Sequence, residues 1–205
     1  MNEKFYALPE KKQSEILNAA YKVFATNQYK KAPTSEIAAK AGISKSLLFH
    51  YFHNKLELYL FLWNHATDLT KEYMSKYKVY ETEDFFEMMR RGLKAKCVLM
   101  RKYTFLALFS INSYFETEQD VQATIQLSVQ DATETTLGMF SNIMNFGLIR
   151  DDIDFGRIYK EILYASEGMR ARWYRTGNYD VDILEQEYLE MIAHWEMVYG
   201  KGDRK

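Results

Sequence analysis

Apolar residues recur along this chain at intervals of three and four, and in no window does a period of two with β-branched residues take over. After Pro9, which suits a helix opening, Ile16, Leu17, Ala20, Val23 and Phe24 follow at helical spacing. Asn27-Gln28-Tyr29 ends that helix. A second, short helix turns Ile37, Ala38 and Ala41 inward. It starts either at Ala32, with Pro33 in the first helical position, or with Thr34 as the cap. Gly42 lies one residue past it and suits a left-handed turn. Ser44 is an N-cap for a third helix, Lys45 to Phe52. Asn54 caps a fourth, with Glu57 in capping-box register and Leu56, Tyr59, Leu60 and Trp63 along its first turns.

Residues 10–53 therefore read as three short helices with a tight turn at Gly42, the pattern of a helix-turn-helix unit. Past residue 75 the helices lengthen and carry more Met and aromatic residues. They are expected near 83–100, 102–115, 118–146, 154–175 and 181–199, separated by Gly147, by Asp151, Asp152 and Asp154, and by Thr176-Gly177-Asn178. The tail from Gly200 is expected to fray. The fold class is all-α, about nine helices in two domains. Residues 1–53 form the helix-turn-helix domain and 54–205 a larger helical domain, with a helix near 54–77 linking the two.

Two prolines and nine glycines in 205 residues leave few helix breakers, in keeping with this reading. The longest apolar run, Phe105 to Ile111, is too short to span a bilayer, and the first twelve residues hold no apolar leader. A single cysteine, Cys97, rules out an internal disulfide framework. A cytoplasmic protein without membrane partners fits these features. The net charge of −1 conceals an asymmetry: residues 1–60 hold nine Lys or Arg against five acids, and the remainder eighteen against twenty-three. A basic first quarter on an acidic body suits a polyanion partner for that quarter.

The stretch AGISKSLLFHYFHNK, residues 41–55, shows how that partner would be met. On a helix from Lys45 to Phe52, Leu48 and Phe52 share the inward face, so Lys45, Ser46, Phe49 and His50 point outward. An ammonium, a hydroxyl, an aromatic edge and an imidazole suit the edges of bases in a major groove. Tyr51, Lys55 and the Thr34 hydroxyl suit phosphates, which set register rather than sequence preference.

This segment resembles the DNA-binding domain of the TetR family of bacterial transcriptional regulators. The resemblance lies in Ile16-Leu17-Asn18-Ala19-Ala20, Phe24, Tyr29, Ile37-Ala38, Ala41-Gly42-Ile43-Ser44-Lys45, Leu48-Phe49-His50-Tyr51-Phe52, Asn54-Lys55 and Leu58-Tyr59, and covers roughly residues 10–60. It implies base contacts from Ser35, Lys45, Ser46 and Phe49, and backbone contacts from Thr34, Ser44, His50, Tyr51 and Lys55. Three positions depart from the pattern. Gln28 replaces a usual glycine, Ala32-Pro33 replaces a hydroxyl-bearing helix start, and Leu47 stands where a small or hydroxyl residue is usual.

The resemblance also implies a second domain that dimerises and binds a small, largely apolar effector. Independently of it, Phe155, Ile158, Ile162, Ala165 and Met169 recur at spacings of 3 and 4, as do Leu184, Tyr188, Met191 and Trp195. Two such seams can form half of a four-helix bundle, or face the protomer's own core. Met89, Cys97, Phe105, Phe109, Asn112, Met139, Tyr164 and Trp173 are the candidate pocket residues, and the apolar ones among them would serve equally well as plain core. No histidine has metal-ligand spacing with Cys, Asp or Glu, and there is no Gly-rich phosphate loop, so neither metal, cofactor nor enzymatic activity is expected. The expected function is a ligand-responsive regulator, a repressor, binding a palindromic double-stranded DNA operator as a homodimer. A helical small-molecule-binding or adaptor protein that no longer reads DNA is the alternative.

Overall fold

A computed structural model describes residues 3–202. Among them lie ten α-helices and no β-strand. The helices are α1 (Glu3–Tyr6), α2 (Glu10–Thr26), α3 (Thr34–Lys40), α4 (Lys45–Phe52), α5 (Lys55–Lys76), α6 (Phe85–Lys102), α7 (Thr104–Tyr114), α8 (Gln119–Ile143), α9 (Phe155–Thr176) and α10 (Val181–Tyr199). The all-α expectation holds. The additional element is α1, too short to show a period. Its Phe5 is 1% exposed and packs on Phe52 and Phe61 at ring distances of 5.1 and 5.3 Å.

Two compact units emerge, and they cut the chain differently from a division at residue 53. One comprises the residues up to Leu69 together with Tyr103–Gln130; the other comprises Thr70–Lys102 and the residues from Asp131 onward. In the first, α7 packs along α2. Its core is aromatic: Phe24, Tyr59, Tyr21 and Phe109 meet edge-on, with the Tyr59 and Phe109 rings 4.8 Å apart. In the second, α6 packs on α10. Ion pairs cross that contact: Arg90 to Glu196 at 2.7 Å, Arg101 to Asp182 and Glu185 at 2.6 and 2.5 Å, and Lys94 to Glu185 at 3.6 Å.

Helix ends follow side-chain chemistry where a cap exists. Asp154 accepts from Arg157 N–H at 3.1 Å, and Asp180 from the Asp182 and Ile183 amides at 3.0 and 3.2 Å. Gly177, at φ +65°, closes α9. The start of α3 differs from both sequence options. Pro33 itself is the N-cap, and its carbonyl accepts from Glu36 N–H at 3.0 Å. The tail does not fray at Gly200 and Lys201: Gly200 bridges Ile149, and Lys201 N–H donates to the Leu148 carbonyl at 3.0 Å. Asp203 to Lys205 lie outside the described residues.

One buried polar contact joins α2 to α5. The Tyr21 hydroxyl donates to the Leu62 carbonyl at 2.8 Å and lies 2.8 Å from His65 Nδ1. Burial pulls the His65 pKa below its ordinary 6.5, against the opposing pull of Asp68. An imidazole with a depressed folded pKa contributes stability that is complete above pH about 6.5 and lost as pH falls through the folded value. We therefore expect the melting temperature to drop between pH 7 and pH 5 by more in the wild type than in His65→Gln. Parallel pH profiles would remove His65 from the pH response.

Candidate nucleic-acid interface

The α3–α4 turn is built by local rules. Gly42, at φ +62°, occupies the left-handed position just past α3. Ile43 N–H returns to the Ala38 carbonyl and Gly42 N–H to that of Ala39, at 3.0 and 3.1 Å, which completes a Schellman closure. Lys12, from α2, donates to the Ala41 carbonyl at 2.8 Å. The Ser44 hydroxyl then accepts from Leu47 N–H at 3.1 Å and lies 3.0 Å from that of Ser46, so α4 starts at Lys45. Its other end is tight. His53, at φ 58° and ψ −54°, makes a γ-turn that closes Asn54 N–H on the Phe52 carbonyl at 2.6 Å. Asn54 Oδ1 then caps α5 by accepting from Glu57 N–H at 2.9 Å.

Leu48 and Phe52 are fully buried in the α2 core, which fixes the rotation of α4. Lys45, Ser46 and His50 are exposed and Phe49 is half-buried, so the face inferred from spacing is the one the fold turns outward. Lys45 Nζ sits 5.8 Å from the centre of the Phe49 ring, a pairing that orders both side chains. Ser35 is exposed at the second position of α3, beside the same turn.

The phosphate candidates divide. Ser44 and His50 are exposed and Tyr51 is half-buried. Thr34 is only 9% exposed, which leaves its hydroxyl little reach. Lys55 is also engaged within the protein. Its ammonium donates to the Lys30 carbonyl at 3.1 Å and lies 4.9 Å from the centre of the Tyr29 ring. Burial lowers its pKa, opposed by the fields of Glu116 and Glu118. Spacing could not reveal the group beneath this turn. Glu116 accepts from Tyr29 N–H at 2.8 Å, Glu118 pairs with Lys30 at 3.5 Å, and Asn112 donates to the Ala25 carbonyl at 2.7 Å. These partners lie some 90 residues from the turn they hold.

Residues 16–61 match the model of the bacterial regulatory proteins, tetR family. This segment, from α2 into α5, is a TetR-type DNA-binding region. It is 23% identical over 190 residues to the fatty acid metabolism regulator protein of Bacillus subtilis, covering 89% of this chain and 94% of that one. To the HTH-type transcriptional activator FasR of Mycolicibacterium smegmatis it is 27% identical over 133 residues, 64% and 60% of the two chains. Solved structures share the fold. The fatty acid degradation regulator FadR from Bacillus halodurans superposes with a TM-score of 0.69 at 17% identity, covering 88% of this chain and 94% of that one. FadR from Bacillus subtilis, in complex with stearoyl-CoA, superposes with a TM-score of 0.67 at 19% identity, covering 87% and 96%. The match places a helix-turn-helix of the regulatory type in the first unit, with α4 as the second helix of that motif. Among the described residues no helix is long and apolar enough to cross a membrane, and no cluster of three acidic, His or Cys side chains could hold a metal.

The effector and dimer candidates scatter. Phe109 is fully buried against Tyr21, Phe24 and Tyr59, and Asn112 is tied to α2, so both belong to the core of the first unit. Phe105 is 38% exposed beneath Lys22, and Tyr164 is 68% exposed. Cys97 is fully buried, and burial pushes its thiol up to about 11. Met89 and Met139 are half-buried. Trp173 is buried beside a surface cleft of about 270 Å³ at the α9–α10 turn.

Of the seams, Ile158 and Trp195 are 0% and 7% exposed, and their burial within the protomer removes them from any partner-facing surface. Phe155, Ile162, Ala165, Met169, Leu184, Tyr188 and Met191 are half-buried. The outward apolar positions sit beside them: Tyr164 on α9, and Leu189 and Met197 on α10, the last two 44% and 74% exposed.

Two substitutions separate reading from support. Lys45→Ala should leave the melting temperature unchanged and remove about 1–3 kcal/mol of preference at one base position. Lys55→Ala should lower stability by about 1 kcal/mol through loss of its contacts to Lys30 and Tyr29, and weaken binding to all duplexes alike. Equilibrium unfolding and competition binding against a mismatched duplex series measure both. A sequence-selective loss in Lys55→Ala would contradict this assignment.

Proposed function

We propose that the protein is a dimeric repressor that binds a palindromic operator through α4 and is released by a long-chain fatty-acyl effector. The carrying observation is the outward set Lys45, Ser46, Phe49 and His50 on a helix whose other face is locked by Leu48 and Phe52. One such helix reads only a half-site. Two, one turn of DNA apart at roughly 34–36 Å, read a palindrome. Tyr164 and Gly168 on α9, with Leu189, Ala193 and Met197 on α10, form the outward surface for a second copy. Nothing lies within 4 Å of a Cβ built at Gly168, so another helix could approach closely there. The fatty-acyl effector is supported by the Bacillus subtilis relative, which is named a fatty acid metabolism regulator protein, and by the stearoyl-CoA bound in one neighbour. The Met and aromatic residues of the second unit suit an alkyl chain.

Selection of bound duplexes from a random pool, near physiological salt, tests the DNA half. A palindromic consensus is expected, with an affinity for it that falls steeply as salt rises. A folded dimer that enriches nothing would overturn the operator reading. Release is tested by adding a long-chain acyl-CoA to the complex with that consensus. By linkage, operator DNA must weaken acyl-CoA binding by the same factor that acyl-CoA weakens operator binding, so equal acyl-CoA affinity with and without operator would exclude the release mechanism.

A further inference from the structure

The chain passes from α2 to α3 through one 3-10 turn, Tyr29–Lys31. Gln28 precedes that turn and gives it no side-chain cap. The first amide of a helical turn has no partner within the turn and must find one elsewhere. Here the partner comes from the connection between α7 and α8: Glu116 Oε2 accepts from Tyr29 N–H at 2.8 Å. The other oxygen of the same carboxylate accepts from Thr117 N–H at 2.9 Å and from Glu118 N–H at 3.3 Å, just before α8 begins. Both oxygens are thus committed to backbone amides, one on each side of the contact. Hydrogen bonds to an ionised acceptor are about twice as strong as neutral ones. Asn112, four residues earlier, donates to the Ala25 carbonyl in the last turn of α2 at 2.7 Å.

Glu118 meets the same turn in another way. It reaches only the ammonium of Lys30, at 3.5 Å, and the Lys30 side chain is 79% exposed. An ion pair this open to water contributes little. Two carboxylates therefore bring equal charge to one turn, Glu116 through a directional bond to the backbone and Glu118 through a screened field.

The turn leads directly into α3. Lys31 and Ala32 N–H both close on the Gln28 carbonyl at 3.0 Å, Ala32 is buried, and Pro33 caps the helix one residue later. Ser35 is exposed two residues beyond Pro33, and the closure at Gly42 passes the placement of α3 on to α4.

We propose that Glu116 is a positioning residue for DNA reading: its carboxylate sets where α3 enters, and through α3 it sets the base-reading side chains of α3 and α4. This rests on the operator reading above for what is read.

Three variants of the full-length chain separate the bond from the charge. Glu116→Asp keeps the charge but is one methylene too short to reach Tyr29 N–H from the α8 amides. Glu116→Gln offers one acceptor oxygen where two are in use. Glu118→Gln removes the same charge and no backbone bond. Binding is measured to the duplex consensus selected by the wild type and to a scrambled duplex. Hydrogen–deuterium exchange is followed over residues 28–40, well below the melting temperature of each variant. Both Glu116 variants should bind the consensus about tenfold more weakly, the scale of a lost hydrogen bond to a charged group. They should bind the scrambled duplex as the wild type does and exchange faster over residues 28–40. Glu118→Gln should exchange like the wild type and keep its ratio of consensus to scrambled binding. Equal losses on both duplexes in the Glu116 variants would make the residue merely structural and overturn the proposal, as would unchanged exchange over residues 28–40. Wild-type behaviour of Glu116→Asp, with the two Gln variants alike, would overturn it in favour of charge alone. If exchange rises as expected but the wild type prefers no duplex, the placement of α3 by Glu116 stands and the operator reading falls.

Discussion

An eight-residue helix does not hold itself together in water; isolated helices shorter than about 12–15 residues are marginal. Everything α4 can do on DNA depends on what fixes it from behind. Leu48 and Phe52 have no exposed surface. Each apolar side chain buried in this way contributes roughly 1.5–3 kcal/mol relative to exposure. The left-handed Gly42 and the Ser44 cap set where the helix begins, and Phe5 closes over Phe52 at its end. Reading DNA is therefore a property of the first unit's core as much as of the four outward side chains.

The same dependence reaches further along the chain. The 3-10 turn at Tyr29–Lys31 delivers the backbone from α2 to α3, and its position decides where α3 enters. That turn is pinned by Glu116 on Tyr29 N–H, by Glu118 on Lys30, and from the other side by Lys55 on the Lys30 carbonyl. Hydrogen bonds are short-ranged and directional, so small displacements of Glu116 would weaken the first of these contacts. This explains why residues 103–130 fold into one compact unit with the helix-turn-helix rather than with the rest of the body. It also explains why Lys55 serves the scaffold before it serves a phosphate.

What the sequence made legible was local. Gly42, Ser44 and the Leu48–Phe52 pair are neighbours in the chain, and from them α4 could be drawn to the residue. Pro33 misled because proline at a helix start can occupy either the cap or the first turn, and its side chain offers no acceptor to decide between them. The α9 and α10 stripes were real, but a period of 3 and 4 says that a face is buried without saying in what. Ile158 and Trp195 turn into their own protomer, and the faces left open carry Tyr164, Leu189 and Met197 instead. Phe109 was a candidate as an apolar lining residue and Asn112 as a polar group beside it on α7. Only packing places α7 on α2. Glu116 had no legible signal, since its partner lies 87 residues away.

The charges of α6 sharpen this distinction between local pattern and tertiary packing. In sequence, Lys94, Lys96 and Arg101 are equivalent cations on one helix. In the fold, two of them lie against acids on α10, where a partly exposed pair costs little and contributes little. The third, Lys96, stands exposed between Ala95 and Cys97, both fully buried, so one step along the helix separates solvent from core. The 3.6-residue period alone places these side chains around the helix, and only the packing of α6 on α10 decides which of its cations meet an acid.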